Sequence, residues 1–420
     1  MTNQKTVGIV AEYNPFHNGH LYQLREAKRL SGADFAVAIM SGSFVQRGTP
    51  AFLDKMNRTK MALESGIDLV IELPVRYATA SAEYFSTGAI ALLENLGIID
   101  SLCFGSECGD TKSMKIIAEY IQKDCDDFNK SISKHVRNGL SFPVAREKAL
   151  HEHCNSIPEN TVRDIISSPN NILGIEYLKA LSYFNSNIAP FTVKRKQTGY
   201  HDLSLDMASD EDYSIHSATA IRSSLENQAA LESIRSSVPD NVYQLLEGAK
   251  TYPVTSNLLS DMLYYAIATS TVEELSSIQD ITPDLARTIK NSLSEYEDFE
   301  QFIFVLKSKQ FTYTRISRCL LHILLGIKNY NIKGLTSTEI APYARVLGFR
   351  RPASVLLKEA KYKSKIPIIT KMADAENFLN LYAYQMLSED IFATSLYNRL
   401  VYQSFGLKGK HDIQTSPIIL

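Results

Sequence analysis

Along the first hundred residues, short and largely apolar runs alternate with stretches whose apolar positions recur every three or four residues. The runs at 7–11, 35–40, 69–73 and 101–104 read as strands, and the stretches 20–29, 58–65 and 82–96 as helices, the last two stopping at Gly66 and Gly97. Continuous apolar strands separated by amphipathic helices predict a parallel sheet covered on both faces. Such sheets bind ligands at the carboxyl ends of their strands, so the loops 12–20, 41–50, 74–81 and 105–110 are where chemistry is expected.

Residues 111–165 read as polar helices. Asn170 and Asn171 open another helix at 172–184, a strand follows at 191–195, and a loop with Gly199, Tyr200, His201 and Asp202 leads to a helix that starts near Ser217. Beyond about residue 226 the strand pattern gives way to helical stretches such as 258–269 and 317–325. The expected organisation is an α/β domain over 1–225 and a mostly helical domain over 226–420, with no internal repeat.

Composition narrows the class. The chain has 420 residues, 45% hydrophobic and 21% charged, as in ordinary globular proteins. No run approaches the roughly 20 apolar residues of a membrane span, and nothing at the N-terminus has the build of a signal peptide. Five scattered cysteines fit reduced thiols better than a disulfide framework, which together predicts a soluble cytoplasmic protein. A net charge of −2 hides an asymmetry: residues 301–371 hold fourteen basic side chains against two acids. With Phe311, Tyr313, Tyr330, Tyr343, Phe349 and Tyr362 interleaved, that window suits an RNA backbone and unpaired bases. Arg315, Arg318, Arg350, Arg351 and Lys358 are its candidate RNA contacts.

The sharpest chemical signal is His17-Asn18-Gly19-His20, placed where the first strand turns into a helix. Nucleotidyl transfer needs phosphates positioned and developing charge stabilised, and two imidazoles at a helix start supply donors in a field that favours anions. Gly19 lets a triphosphate approach the backbone. A second signal is Ser217-Ala218-Thr219-Ala220-Ile221-Arg222, where Ser217 or Thr219 can cap a helix and Arg222 can reach a β- or γ-phosphate. The loop Ser41–Gly48, with Ser43, Gln46 and Arg47, suits a carboxylate or phosphate. Lys55 and Arg58, at a helix start, read as solvated charges. His151-Glu152-His153-Cys154 lacks a second ligand cluster at metal spacing, so no metal site is assigned. No Lys-Met-Ser-Lys-Ser motif occurs, which argues against a class I aminoacyl-tRNA synthetase.

Taken together, the segments 11–20, 41–48, Gly105-Ser106-Glu107 and 168–174 resemble the bacterial tRNA(Met) cytidine acetate ligase family, within the HIGH-type nucleotidyltransferase superfamily. The resemblance runs nearly the full length; Met56 stands where the family usually has tryptophan. It implies a Rossmann-like HIGH-superfamily nucleotidyltransferase domain with a mostly α-helical C-terminal domain. It further implies activation of acetate by ATP with Mg²⁺ to acetyl-adenylate, without acetyl-CoA, and acetylation of the N4 amine of the wobble cytidine of elongator tRNA(Met). On that resemblance, ATP binding falls on Val10, Ala11, Glu12, Tyr13, Asn14, Pro15, Phe16, His17, Asn18, Gly19, His20, Leu21, Tyr22 and Gln23, with Gly105, Asn171 and Arg195. Ser217, Thr219 and Arg222 join them from the second signal, and His17 and His20 carry the catalytic assignment. Neither a membrane nor a protein partner is implied. Two other readings stay in competition: a transferase adenylating a small phosphorylated metabolite, and an RNA-binding factor regulated by nucleotide.

Overall fold

The computed structural model describes residues 4–122, 126–140, 142–153, 157–195, 217–226, 231–248 and 253–420. The loop with Gly199 to Asp202 therefore lies outside the described residues, as do Cys125 and Cys154. Among the described residues there are ten strands: β1 Thr6–Ala11, β2 Phe35–Ser41, β3 Phe44–Val45, β4 Thr49–Pro50, β5 Leu69–Leu73, β6 Ser101–Ser106, β7 Ala189–Lys194, β8 Ala344–Phe349, β9 Ile368–Ile369 and β10 Ile418–Ile419. The main sheet has the order β10-β8-β5-β2-β1-β6-β7, with β9 beside β8, and β3–β4 form a separate hairpin.

Strands β1, β2, β5, β6 and β7 run parallel, with Ala11 opposite Met40 and Ser41 opposite Leu73, so their carboxyl ends make one edge. From β1 the chain moves to β2 and β5 on one side, then returns to place β6 on the other side of β1. The crevice between β1 and β6 is thus the topological switch point, where α/β sheets take their ligands. Strand β2 is buried along its whole length, the reason it reads as an unbroken apolar run. Helix α1, Asn18–Ser31, packs on one face with α2, Lys55–Glu64, over a core that includes Ile9, Ala36, Met61 and Leu63. The helices Ala82–Leu96 and Pro169–Tyr183 cover the other face.

The expected division at 225/226 needs correction. Strand β8 pairs antiparallel with β5, with Glu72 opposite Arg345 and Leu69 opposite Phe349, and β10 extends the sheet beyond it. One hydrophobic core joins Val37, Ile71 and Leu92 to Tyr343, Leu356 and Met386. The later half is mostly helical, yet it supplies three strands of the sheet. A further core, built from residues 254–327, closes over Phe44, Val45 and Ala51 of the hairpin segment. No helix among the described residues is long and apolar enough to cross a membrane.

Candidate active site

The motif at the end of β1 is a helix cap made of imidazoles. His17 is the N-cap of α1: its Nδ1 accepts from the Gly19 N–H at 3.0 Å, while His20 Nδ1 accepts from the His17 N–H at 3.3 Å. The arrangement is a capping box in which both partners are histidines. The two rings stack, centroids 3.8 Å apart and 28° between planes. With both Nδ1 atoms accepting, the network assigns the proton of each neutral ring to Nε2. Burial holds His20 well below the ordinary imidazole value, helped by His17 and by the positive charge of Arg195. Two neutral N–H donors at the positive end of a helix are suited to bearing the charge of phosphate oxygens.

The rest of the predicted nucleotide set is gathered around this cap, though several members hold the protein itself. Val10 and Ala11 end β1, and Leu21, Tyr22 and Gln23 lie in the first turns of α1. Tyr13 and Phe16 are buried rings against His20, and Asn18 donates to the Ser236 carbonyl. Asn14 accepts from the Phe52 N–H at 2.7 Å, and the Asn14–Pro15 peptide is cis. Asn171 lies inside its helix rather than ahead of it, and its Oδ1 accepts from the N–H groups of Glu107 and Cys108. It therefore fixes the turn after Gly105. Arg195 follows β7, its N–H bonded to the Ser106 carbonyl. Ser217 is the cap of the helix Ala218–Glu226, accepting from the Ala220 N–H, which settles the choice left open with Thr219. Arg222 donates to the Asn14 carbonyl at 2.8 Å and to Thr219 Oγ1 at 3.3 Å. The arginine expected on a phosphate thus anchors the motif loop.

The substrate-loop residues sit on the β3–β4 hairpin. The Gln46 N–H donates to Glu12 Oε1 at 2.9 Å, Arg47 is exposed at the tip, and Ser43 is buried near Thr394. Ser43 also lines a cavity of about 340 Å³ with Asp54, Asn57, Asn398 and Lys410.

Two residues read as solvated are the reverse. Arg58 is fully buried and donates to the carbonyls of Glu12, Ser41, Gly42 and Leu53, tying the ends of β1 and β2 together. Burial pulls its guanidinium below the usual arginine range. Lys55 is also buried, 2.9 Å from Glu72 and 3.0 Å from Asp412, while Arg345 pairs with the same two carboxylates. A lysine and an arginine next to a helix start carry no local sign of this, because Asp412 lies 357 residues from Lys55.

The basic set splits. Arg315 and Arg318 lie on the helix Tyr313–Leu325, whose Ser317 hydroxyl donates to the Gly48 carbonyl of the hairpin. Arg350, Arg351 and Lys358 lie beyond the far end of β8, below the amino end of β5, where Arg350 pairs with Asp68.

A family model described as HIGH Nucleotidyl Transferase matches residues 4–412. The tRNA(Met) cytidine acetate ligase of Alkaliphilus metalliredigens is 37% identical over 98% of both chains, and that of Acetivibrio thermocellus 38% identical over 94% of both. The chain belongs to the tRNA(Met) cytidine acetate ligase family. Among solved structures, Thermotoga maritima TmcAL bound with alpha-thio ATP superposes with a TM-score of 0.89 at 30% identity, covering 99% of this chain and 100% of that one. The apo form of the same protein gives 0.90. Family membership accounts for the expected fold class, with its parallel sheet and HIGH-type cap, in a single long match.

Proposed function

We propose that this protein activates acetate with ATP to acetyl-adenylate and transfers the acetyl group to the N4 amine of the wobble cytidine of elongator tRNA(Met). The observation that carries the reading is the pair of Nε2–H imidazoles capping α1 at the β1–β6 switch point. An acetate oxygen attacks the α-phosphorus of ATP, and the bond to pyrophosphate breaks. His17 and His20 donate to the phosphate oxygens as charge develops. The cytidine amine then attacks the acetyl carbon, AMP leaves, and the amine loses its surplus proton. No covalent enzyme intermediate is required.

Support comes also from Gly105. A Cβ there would come no closer than an ordinary 3.5 Å to any atom, the nearest being Arg195 Cγ, so the protein itself has no steric need of glycine, and a nucleotide passing close to the backbone supplies one. Magnesium enters bound to the triphosphate. Arg315 is assigned to RNA beside the hairpin, and Arg350, Arg351 and Lys358 to another part of the same RNA; Arg318, expected there too, is largely buried and pairs with Asp280 at 3.8 Å. ATP-dependent modification of tRNA places the protein in the cytoplasm, and acetyl-CoA has no part in the scheme.

The test is pyrophosphate release from ATP and Mg²⁺ with acetate, with and without total tRNA, followed by nucleoside analysis of that tRNA. Acetate-dependent release with N4-acetylcytidine is expected. Release only with a phosphorylated metabolite would transfer the chain to the small-molecule adenylyl transferases.

A further inference from the structure

The segment 304–318 joins two observations that the reaction scheme leaves unused. It holds four basic residues, Lys307, Lys309, Arg315 and Arg318, and no acid. It also exposes aromatic surface. Phe304 is 65% exposed on the last turn of the helix Phe299–Leu306, its ring 5.3 Å from that of Tyr313. The Arg315 guanidinium lies 4.9 Å over the Phe311 ring. Among the described residues neither Lys307 nor Lys309 has a carboxylate partner, and both are exposed.

Arg318 pairs with Asp280 at 3.8 Å, and Phe311 and Tyr313 are half-buried against the neighbouring core, which leaves Phe304 as an exposed ring beside two lysines without carboxylate partners, a surface that suits a nucleobase. Bases stack on aromatic faces whatever their sequence, while the flanking phosphates take the lysines. Position favours the same occupant. The helix carrying Tyr313 and Arg315 is fixed to the hairpin one turn later, through Ser317 and Gly48, and the hairpin in turn is held by Glu12 of the nucleotide motif. Arg47, on the same hairpin, is exposed.

We infer that Phe304, Tyr313 and Phe311, with Lys307, Lys309 and Arg315, form a stacking platform for an unpaired RNA loop, holding nucleotides that flank the one delivered to the adenylate. The inference rests on the proposed function for the identity of the RNA. It is independent of that function for the existence of the surface.

Phe304→Ala and the pair Lys307→Glu with Lys309→Glu separate the two contributions. Binding of an RNA hairpin with the anticodon stem and loop is titrated by fluorescence at several salt concentrations. Acetate-dependent ATP–pyrophosphate exchange without RNA is followed in parallel as a check that the nucleotide site is intact. Loss of one stacked base corresponds to about tenfold weaker binding for Phe304→Ala, with an unchanged salt slope. The lysine pair is expected to weaken binding and lower the slope of log affinity against log salt by roughly 1.5 to 2. Affinity within twofold of wild type in both variants, with exchange intact, overturns the platform. Weakened hairpin binding in a protein that shows no acetate-dependent exchange would keep the platform and sink the proposed reaction. Equal loss for a polyanion without bases, such as heparin, in Phe304→Ala would show a charge surface and refute stacking.

Discussion

His17 and His20 are given two tasks with one ring each: Nδ1 finishes the helix cap, and Nε2 is the donor proposed for the phosphates. Replacing His17 with alanine removes both. A cap is worth about 0.5–2 kcal/mol and a donor to developing charge about 10²–10³ in rate. Thermal unfolding together with pyrophosphate exchange is expected to show a small stability loss beside a large kinetic one. Because burial holds His20 below the ordinary imidazole value, its neutral form persists through neutral pH. The exchange rate of His20 as a donor is therefore expected to be flat from pH 8 down through about 6.5. A break centred on that value, in a pH series at saturating ATP, would contradict the neutral assignment. The sign for folding follows: below the ordinary value the unfolded chain takes the proton first, so this residue's contribution to stability falls as the pH is lowered. Arg58 is the other decisive residue. Lysine keeps its charge but cannot reach four carbonyls, and each buried acceptor left open costs about 1–3 kcal/mol. Arg58→Lys is expected to lower the unfolding temperature and to raise KM for ATP, since the end of β1 is no longer held.

At the scale of elements, the hairpin is the joint between the nucleotide motif and the helix Tyr313–Leu325. Gly48 has φ +78°, and a Cβ on it would overlap the backbone of Ser317 and Arg318. Gly48→Ala is expected to cost more than about 2 kcal/mol, because the left-handed conformation alone costs 1–2 and backbone has nowhere to move. Ser317→Ala at the same contact deletes one hydrogen bond, about 1 kcal/mol. Denaturant titration of both variants tests the ordering. Elements also mark how far the sequence could be read. Strands β1, β2, β5, β6 and β7 are legible, whereas the two-residue strands β3 and β4 lie in a segment that reads as a loop; the cap is legible because it spans four residues. Strand β8 is not: Ala344-Arg345-Val346-Leu347-Gly348-Phe349 has a charge and a glycine inside it and stands among helical patterns. Its arginine is tolerated only because Glu72 and Asp412 meet it in space. The same long-range pairing hid Lys55, and no residue near it in the chain announces that it is buried.

For the molecule as a whole, that buried network is the clasp between the two halves of the chain. Lys55 and Arg345 stand against Glu72 and Asp412, all with side chains at most 3% exposed. Removing one member of such a set is expected to cost about 3–5 kcal/mol, since a charge stays behind without its partner. Asp412→Asn should show that loss in thermal unfolding, and charge-neutral replacement of the whole set should recover most of it. A mild effect of Asp412→Asn would mean that water reaches the network and screens it.

The clasp also fixes an order of events during synthesis. A ribosome that has made the first 225 residues has made Glu72 and Lys55 but neither Arg345 nor Asp412, and the edge of β5 still lacks β8. The nucleotide-binding half keeps that strand edge open until residues 344–349 have been made, and its ion network stays incomplete until Asp412 follows. A gene split after residue 225 would yield two polypeptides, each with half of the ion network and one unpaired edge of the shared sheet.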